Sequence, residues 1–239
     1  LPNITSDTTI QHCFGSCQSD GSCPCGVVVA PYYESLDIGQ LPNCWSQSII
    51  SGDGWRFTGS PAYDAANNGR TSGTYAWIDF SGTDQETVLE LVQVDISGLA
   101  VPELTFDLFS YDGTNGSTPP NILYVEANNG LSWVVIDSLQ DNTVAGWDTK
   151  TFDLTGYDVS GLVSLRLRGE SGGASNDYYN DLLVDNITIG QASNCSQPLY
   201  ASLNAVNITT TSADLSWIAG GNQSQWNVQY GPSGFFLGY

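Results

Sequence analysis

The amino-acid sequence predicts an all-β protein built as a sandwich, and three observations point there. Short runs that alternate apolar and polar residues recur every ~10–15 residues, each bounded by turn-forming clusters. No segment sustains the 3.6-residue periodicity of an amphipathic helix. Gly, Ser, Thr, Asn and Asp are abundant, Met is absent and Lys is nearly so, which is the composition of short strands joined by turns. The chain has 239 residues, 41% of them apolar. That is enough for a sizeable core in one large β-domain or in two domains.

The elements follow in order. Residues 1–30 are a polar, Cys-rich leader, read as an extended segment plus a small stapled knot, with no apolar run before Val27-Val28-Val29. From Pro31 the strand signals begin. TYAWIDF (74–80) alternates around aromatic residues. TVLELVQVDI (87–96) reads as one long strand, with Val88, Glu90, Val92 and Val94 on one face and Leu89, Leu91, Gln93 and Asp95 on the other. ELTFDLFSYD (103–112) places Leu104, Phe106, Leu108 and Ser110 on one side. ILYVEAN (122–128) and WVVIDSL (133–139) form a predicted hairpin around Asn128-Asn129-Gly130, because Asn and Gly tolerate the positive φ of tight turns. WDTKTFDLT (147–155), VSLRLRGES (163–171) and DLLVDNITIG (181–190) complete the set. VDISGLAVPELTFDLFSYDG (94–113) echoes FDLTGYDVSGLVSLRLRGES (152–171), as two similar packed sheets would. After Cys195, ADLSW with Trp217 and the alternating WNVQY suggest a second, immunoglobulin-like sandwich. Residues 196–239 supply about half of the ~100 residues such a domain requires.

Charge and cysteine bound the function. Against 25 acids stand 5 bases, Arg56, Arg70, Lys150, Arg166 and Arg168, for a net charge of −20. Such a surface repels nucleic acid and anionic lipid, so neither is expected as a partner. No run approaches the ~20 apolar residues of a membrane helix, so no membrane insertion is expected. The six cysteines Cys13, Cys17, Cys23, Cys25, Cys44 and Cys195 favour disulfides and an oxidising, extracellular compartment. The rival is zinc held by Cys13, Cys17, Cys23 and Cys25, whose C-x3-C-x5-C-x-C spacing departs from the usual paired knuckle. The chain opens on Leu1-Pro2-Asn3 with no visible signal peptide, so an export signal is expected to have been removed. His12 is the single histidine and sits in the leader, which leaves Ser-His-Asp and Cys-His catalysis without its base.

An ordered series of motifs carries a family resemblance. YESLDIGQLPNCWSQ (33–47), GDGWRFTGS (52–60), SGTYAWIDFSG (72–82), LTFDLFSYDG (104–113) and DLLVDNITIG (181–190) resemble, in sequence and order, the MAM domain and its bacterial relatives, the cleaved-adhesin modules. The aromatic strand has Leu104-Thr105-Phe106 where animal members often carry a cysteine, so the likeness leans to bacterial members. Residues 196–239 resemble the opening half of a fibronectin type III domain. The expected architecture is therefore a Cys-rich leader (1–30), a MAM-like jelly-roll domain (31–195) and a partial fibronectin type III-like domain (196–239).

The resemblance implies a non-catalytic role in adhesion, secreted or on a cell surface, with a surface glycan or a protein as ligand. Two rival expectations stand beside it: a carbohydrate-binding accessory region of a secreted hydrolase, and a self-associating subunit of an extracellular filament assembled by strand exchange. The resemblance also places Glu34 and Asp37 beside the first strand and Asp185 on the last. Asp79 and Asp181 would complete an oxygen cage for Ca²⁺, which takes hard oxygen ligands; the rival reading is that these acids guard strand edges. Tyr178 and Tyr179, in the polar loop GGASNDYYND, are the predicted ligand contacts, with Trp45 and Trp77 assigned to the core. Asp7-Thr8-Thr9 and Asp137-Ser138-Leu139 resemble acceptors of certain bacterial O-glycosylation systems, making Thr8 and Ser138 candidate modification sites.

Overall fold

A computed structural model describes residues 25–63, 65, 73–81, 85–111, 119–140, 145–192 and 203–217. The chain falls into two compact units, Leu1–Gln191 and Ala192–Tyr239. Strands are numbered β1 to β15 in chain order. The first unit contains two five-stranded sheets. One has β10 (Asp148–Asp153), β7 (Pro102–Phe109), β13 (Leu182–Gln191) and β2 (Tyr32–Glu34) side by side, with β4 (Ala76–Ile78) also paired to β13. The other runs β3 (Ser46–Ser51), β5 (Glu86–Glu90), β12 (Leu165–Glu170), β8 (Ile122–Asn128) and β9 (Trp133–Leu139). Apart from the β8–β9 hairpin, the chain passes back and forth between the sheets: β2, β4, β7, β10 and β13 belong to one, and β3, β5, β8, β9 and β12 to the other. That alternation, with antiparallel pairing throughout both sheets, is the jelly-roll sandwich.

Alternation writes the core. In β7, Leu104, Phe106 and Leu108 are buried while Glu103, Thr105 and Asp107 are not. They meet Val184, Ile187 and Ile189 of β13 and, from the opposite sheet, Leu89, Leu123, Val125, Leu165 and Leu167, in one apolar cluster. Phe106 stacks on Phe152 at 5.6 Å between centroids, adding to the area term. Trp45, Trp55 and Trp77 are all buried. A smaller cluster of Ala65, Trp77, Phe109 and Leu183 is flanked by Tyr75, Tyr111 and Trp147.

Two expectations change in detail. The single strand expected over 87–96 is split into β5 and β6 (Val94–Asp95), with Leu91 and Val92 buried between them. β6 then joins a small third sheet with β1 (Val28–Val29) and β11 (Leu162–Val163). Val28 and Val29, read as the end of the leader, thus pair with Val94 and Asp95 inside the first unit. The β8–β9 hairpin forms as expected, with Asn128 opposite Trp133 and Gly130 at φ +87°. Asn128 and Asn129 side chains accept the turn N–H groups of Gly130, Leu131 and Ser132. In the second unit, β14 (Asn204–Val206) and β15 (Asp214–Ser216) form an exposed antiparallel hairpin; Trp226 lies outside the described residues.

Candidate functional site

The predicted contacts Tyr178 and Tyr179 sit in a 3-10 turn, Asp177–Tyr179, between β12 and β13. A buried polar clamp shapes this turn. Asn121 is fully buried. Its side-chain amide donates to the Asp177 carbonyl at 2.9 Å and the Asn180 carbonyl at 2.8 Å. Its backbone N–H donates to Asn180 Oδ1 at 2.9 Å, and its Oδ1 accepts the Gly172 N–H at 3.0 Å. The Ser171 hydroxyl donates to the Asp177 carboxylate at 2.7 Å. Every polar atom of the Asn121 side chain is thereby matched, while the buried Asn180 Nδ2 has no hydrogen-bond partner among the described residues.

A third ring joins the pair. Tyr63 lies 5.3 Å from Tyr178 and 4.7 Å from Tyr179, which are 4.5 Å from each other. Tyr63 is exposed, at φ +54°, a backbone state unusual for a bulky residue. Two anchors hold its segment. Ala65 is buried against Trp77, Phe109 and Leu183, and the Ala62 N–H donates to Asp181 Oδ2 at 3.4 Å. The other Asp181 oxygen accepts the Phe80 N–H, also at 3.4 Å. Asp181, 2% exposed, therefore ties the Tyr63 segment to the strand that follows the Tyr178–Tyr179 turn. Burial pushes its carboxyl up to about 7, the neighbouring Asp79 adds to the rise, and the two N–H donors and Arg56 oppose it. Contact with the Tyr179 hydroxyl raises the Tyr178 phenol above its ordinary value.

Of the five carboxylates expected to cage Ca²⁺, Asp79 neighbours Asp181 and Asp37 neighbours Glu34, while Asp185 faces Asp107. Asp79 pairs with Arg56 at 2.7 Å, while the same guanidinium reaches Asp53 at 2.9 Å and lies over the Trp77 ring. Asp181 is occupied by its two N–H donors. Glu34, Asp37 and Asp185 lie elsewhere. Glu34 is on β2, which pairs with β13. Glu34 accepts the Leu36 N–H at 2.9 Å, and burial raises its carboxyl, with Asp37 adding to the effect. Asp37 accepts the Thr74 N–H at 3.2 Å. Asp185, at a bulge in β13, faces Asp107 across the sheet and accepts the Asn186 N–H. Among the described residues no group of three or more His, Cys, Asp or Glu is placed to hold a metal ion. The donor set does not fit one cage, because a cation beside Asp79 would compete with a guanidinium already in place.

The remaining candidates are placed as follows. Cys25 is exposed and in no disulfide among the described residues. Cys44, at φ +67°, is half-buried against the core. Cys13, Cys17, Cys23, Cys195, His12 and Thr8 lie outside the described residues. Ser138 is exposed on β9. Sequence reasoning missed Tyr63 and Asn121. Tyr63 carried a usable signal, a tyrosine inside the polar loop GSPAYDAANNG, the same pattern that singled out Tyr178-Tyr179. Asn121 carried none, since an Asn after Pro119-Pro120 reads as an ordinary turn residue.

No family model and no curated protein matches this chain. Several solved structures are similar to it. A cleaved-adhesin domain of Lys-gingipain from Porphyromonas gingivalis shares 17% identity, with 68% of this chain and 98% of that one covered, at a TM-score of 0.46. TmCBM61 in complex with β-1,4-galactotriose shares 10%, covering 66% and 94%, at 0.44. A family 29 carbohydrate-binding module shares 12%, covering 70% and 98%, at 0.41.

Proposed function

We propose that this chain is a non-catalytic, extracellular binding module of the MAM-like kind, which attaches a bacterial surface or secreted protein to glycan through Tyr63, Tyr178 and Tyr179. One observation carries the reading: rings from two distant segments converge, Tyr63 lying 4.7–5.3 Å from Tyr179 and Tyr178. Aromatic rings offer flat apolar area with a polar tip. Sugars present a complementary C–H face fringed by hydroxyls, so such rings bind them by stacking and edge hydrogen bonds. The supports beneath are built before the ligand arrives, which lowers the ordering cost of binding. The same site would serve an accessory region of a secreted hydrolase; the two differ in the parent protein, not in the module.

A glycan array probed with the intact chain tests this. Binding should concentrate on one sugar class, and Tyr178→Ala or Tyr63→Ala should weaken it at least tenfold, in line with the ~1–3 kcal/mol of an aromatic contact. Retention of the same glycans by a Tyr63→Ala/Tyr178→Ala/Tyr179→Ala variant would overturn the assignment.

A further inference from the structure

A separate face of the jelly roll has a construction that the tyrosine site leaves unexplained. Strand β12 buries Leu165 and Leu167 and turns Arg166 and Arg168 outward. In register, Arg166 lies between Glu90 and Glu126, and Arg168 between Val88 and Tyr124. These are two of only five bases in the chain. Arg166 lies over the Trp133 ring at 4.4 Å and Arg168 over the Tyr124 ring at 4.0 Å. Both donate to Glu126, and Arg168 also reaches Glu86 and Glu170. On what is the outward side of a sheet, Glu126 is 4% exposed.

We infer that this outward face, with Trp133 and Tyr124 as its rings, is a second contact surface, and that it takes a neutral polysaccharide chain. Each ring has a guanidinium against one side, so its orientation is fixed before binding and the ring adds area at little entropic cost. Each guanidinium is in turn matched by carboxylates, so the face offers no uncompensated positive charge. Two arginines stand against Glu86, Glu126 and Glu170, a balance that repels anionic polymers. A second copy of the chain is disfavoured by self-repulsion at a net charge of −20. A basic partner would be drawn to acids anywhere on this molecule and has no use for two fixed rings. What remains complementary is an uncharged ligand with apolar faces and many hydroxyls. Ser46, Ser48 and Ser138, exposed and in register with Glu90, Val88 and Tyr124, add hydroxyl partners around the rings.

Affinity electrophoresis of the intact chain through gels containing xylan, galactan, mannan or mixed-linkage glucan tests this, with polygalacturonate as the anionic control. Retention is expected on at least one neutral polymer and not on polygalacturonate. Trp133→Ala and Tyr124→Ala should each weaken that retention at least tenfold, while Tyr178→Ala/Tyr179→Ala keeps a measurable part of it. Val135→Glu supplies an independent variant, because Val135 is 50% exposed and faces Glu126 in register. It leaves both rings in place and should likewise weaken retention at least tenfold. Three outcomes overturn the inference: wild-type retention by Val135→Glu and Trp133→Ala; no retention of the wild type on any neutral polymer; or a dimer in sedimentation that Val135→Glu dissolves. Complete loss in Tyr178→Ala/Tyr179→Ala with none in Trp133→Ala would leave the tyrosine site standing and remove this one.

Discussion

Asp181 places a carboxylate where water is nearly excluded, and its titration should be visible in the stability of the whole domain. Its folded-state value, pushed up to about 7, lies above the ordinary carboxylate range. Between about pH 4 and pH 7 the native chain therefore keeps a proton that the unfolded chain has released. The associated stability is fully present below the unfolded value and is lost as pH rises through about 7. Asp181→Asn removes this titration, keeps one oxygen for one N–H, and leaves the other N–H facing an amide. The variant should melt higher than wild type near pH 8, by roughly 2–6 °C, and lower or equal near pH 5. Differential scanning calorimetry at the two pH values checks it; a wild-type advantage that is the same at both would show that Asp181 does not change its charge between them. The sequence singled this aspartate out as a candidate Ca²⁺ ligand, not as a buried acid. Its depth follows from the joint positions of Ala62, Phe80 and β13, which no local pattern encodes.

Legibility at the level of elements followed alternation. β7 and β12 were readable because each buries one face and turns the other out; β8, β9 and β13 follow that alternation only in part. The split between β5 and β6 was not readable, because four apolar residues at Leu89, Leu91, Val92 and Val94 suit one long strand as well as two short ones. The Tyr178–Tyr179 turn was legible as a polar loop, but its clamp was not, since Asn121 reaches it from 56 to 59 residues away. Asn121→Ala should therefore have an effect out of proportion to a loop substitution. It leaves the Asn180 carbonyl and the Gly172 N–H without the bonds Asn121 supplies, and the Asp177 carbonyl with the Asn180 N–H alone, a cost of about 2–4 kcal/mol. Urea denaturation should show that loss. In the native state, nuclear Overhauser contacts between the rings of Tyr63 and Tyr179 should weaken as well. A variant with wild-type stability and intact ring contacts would mean that the clamp is not what shapes the turn.

For the molecule as a whole, the dominant physical fact is the imbalance of charge. Ion pairs on Arg56, Lys150, Arg166 and Arg168 engage several acids, but the excess of 20 negative charges has no partner within the chain. Such an excess destabilises the compact state by self-repulsion. Screening over a Debye length that shrinks from ~30 Å at 0.01 M salt to about 3 Å at 1 M relieves most of it. The exposed pairs that salt weakens contribute little to begin with. Thermal stability should therefore rise with NaCl, by several degrees between about 0.01 and 0.5 M. The same experiment separates diffuse screening from a bound ion. With Asp79 engaged by Arg56, Asp181 capped by N–H groups, and Glu34, Asp37 and Asp185 apart from both, CaCl2 and NaCl at matched ionic strength should raise the melting temperature alike, apart from the stronger screening of a divalent ion. MgCl2 controls for that valence effect. A melting temperature that climbs in CaCl2 but not in MgCl2, saturates at low concentration and falls back with EDTA would restore the calcium cage. It would also require that the acids rearrange from the positions they occupy here.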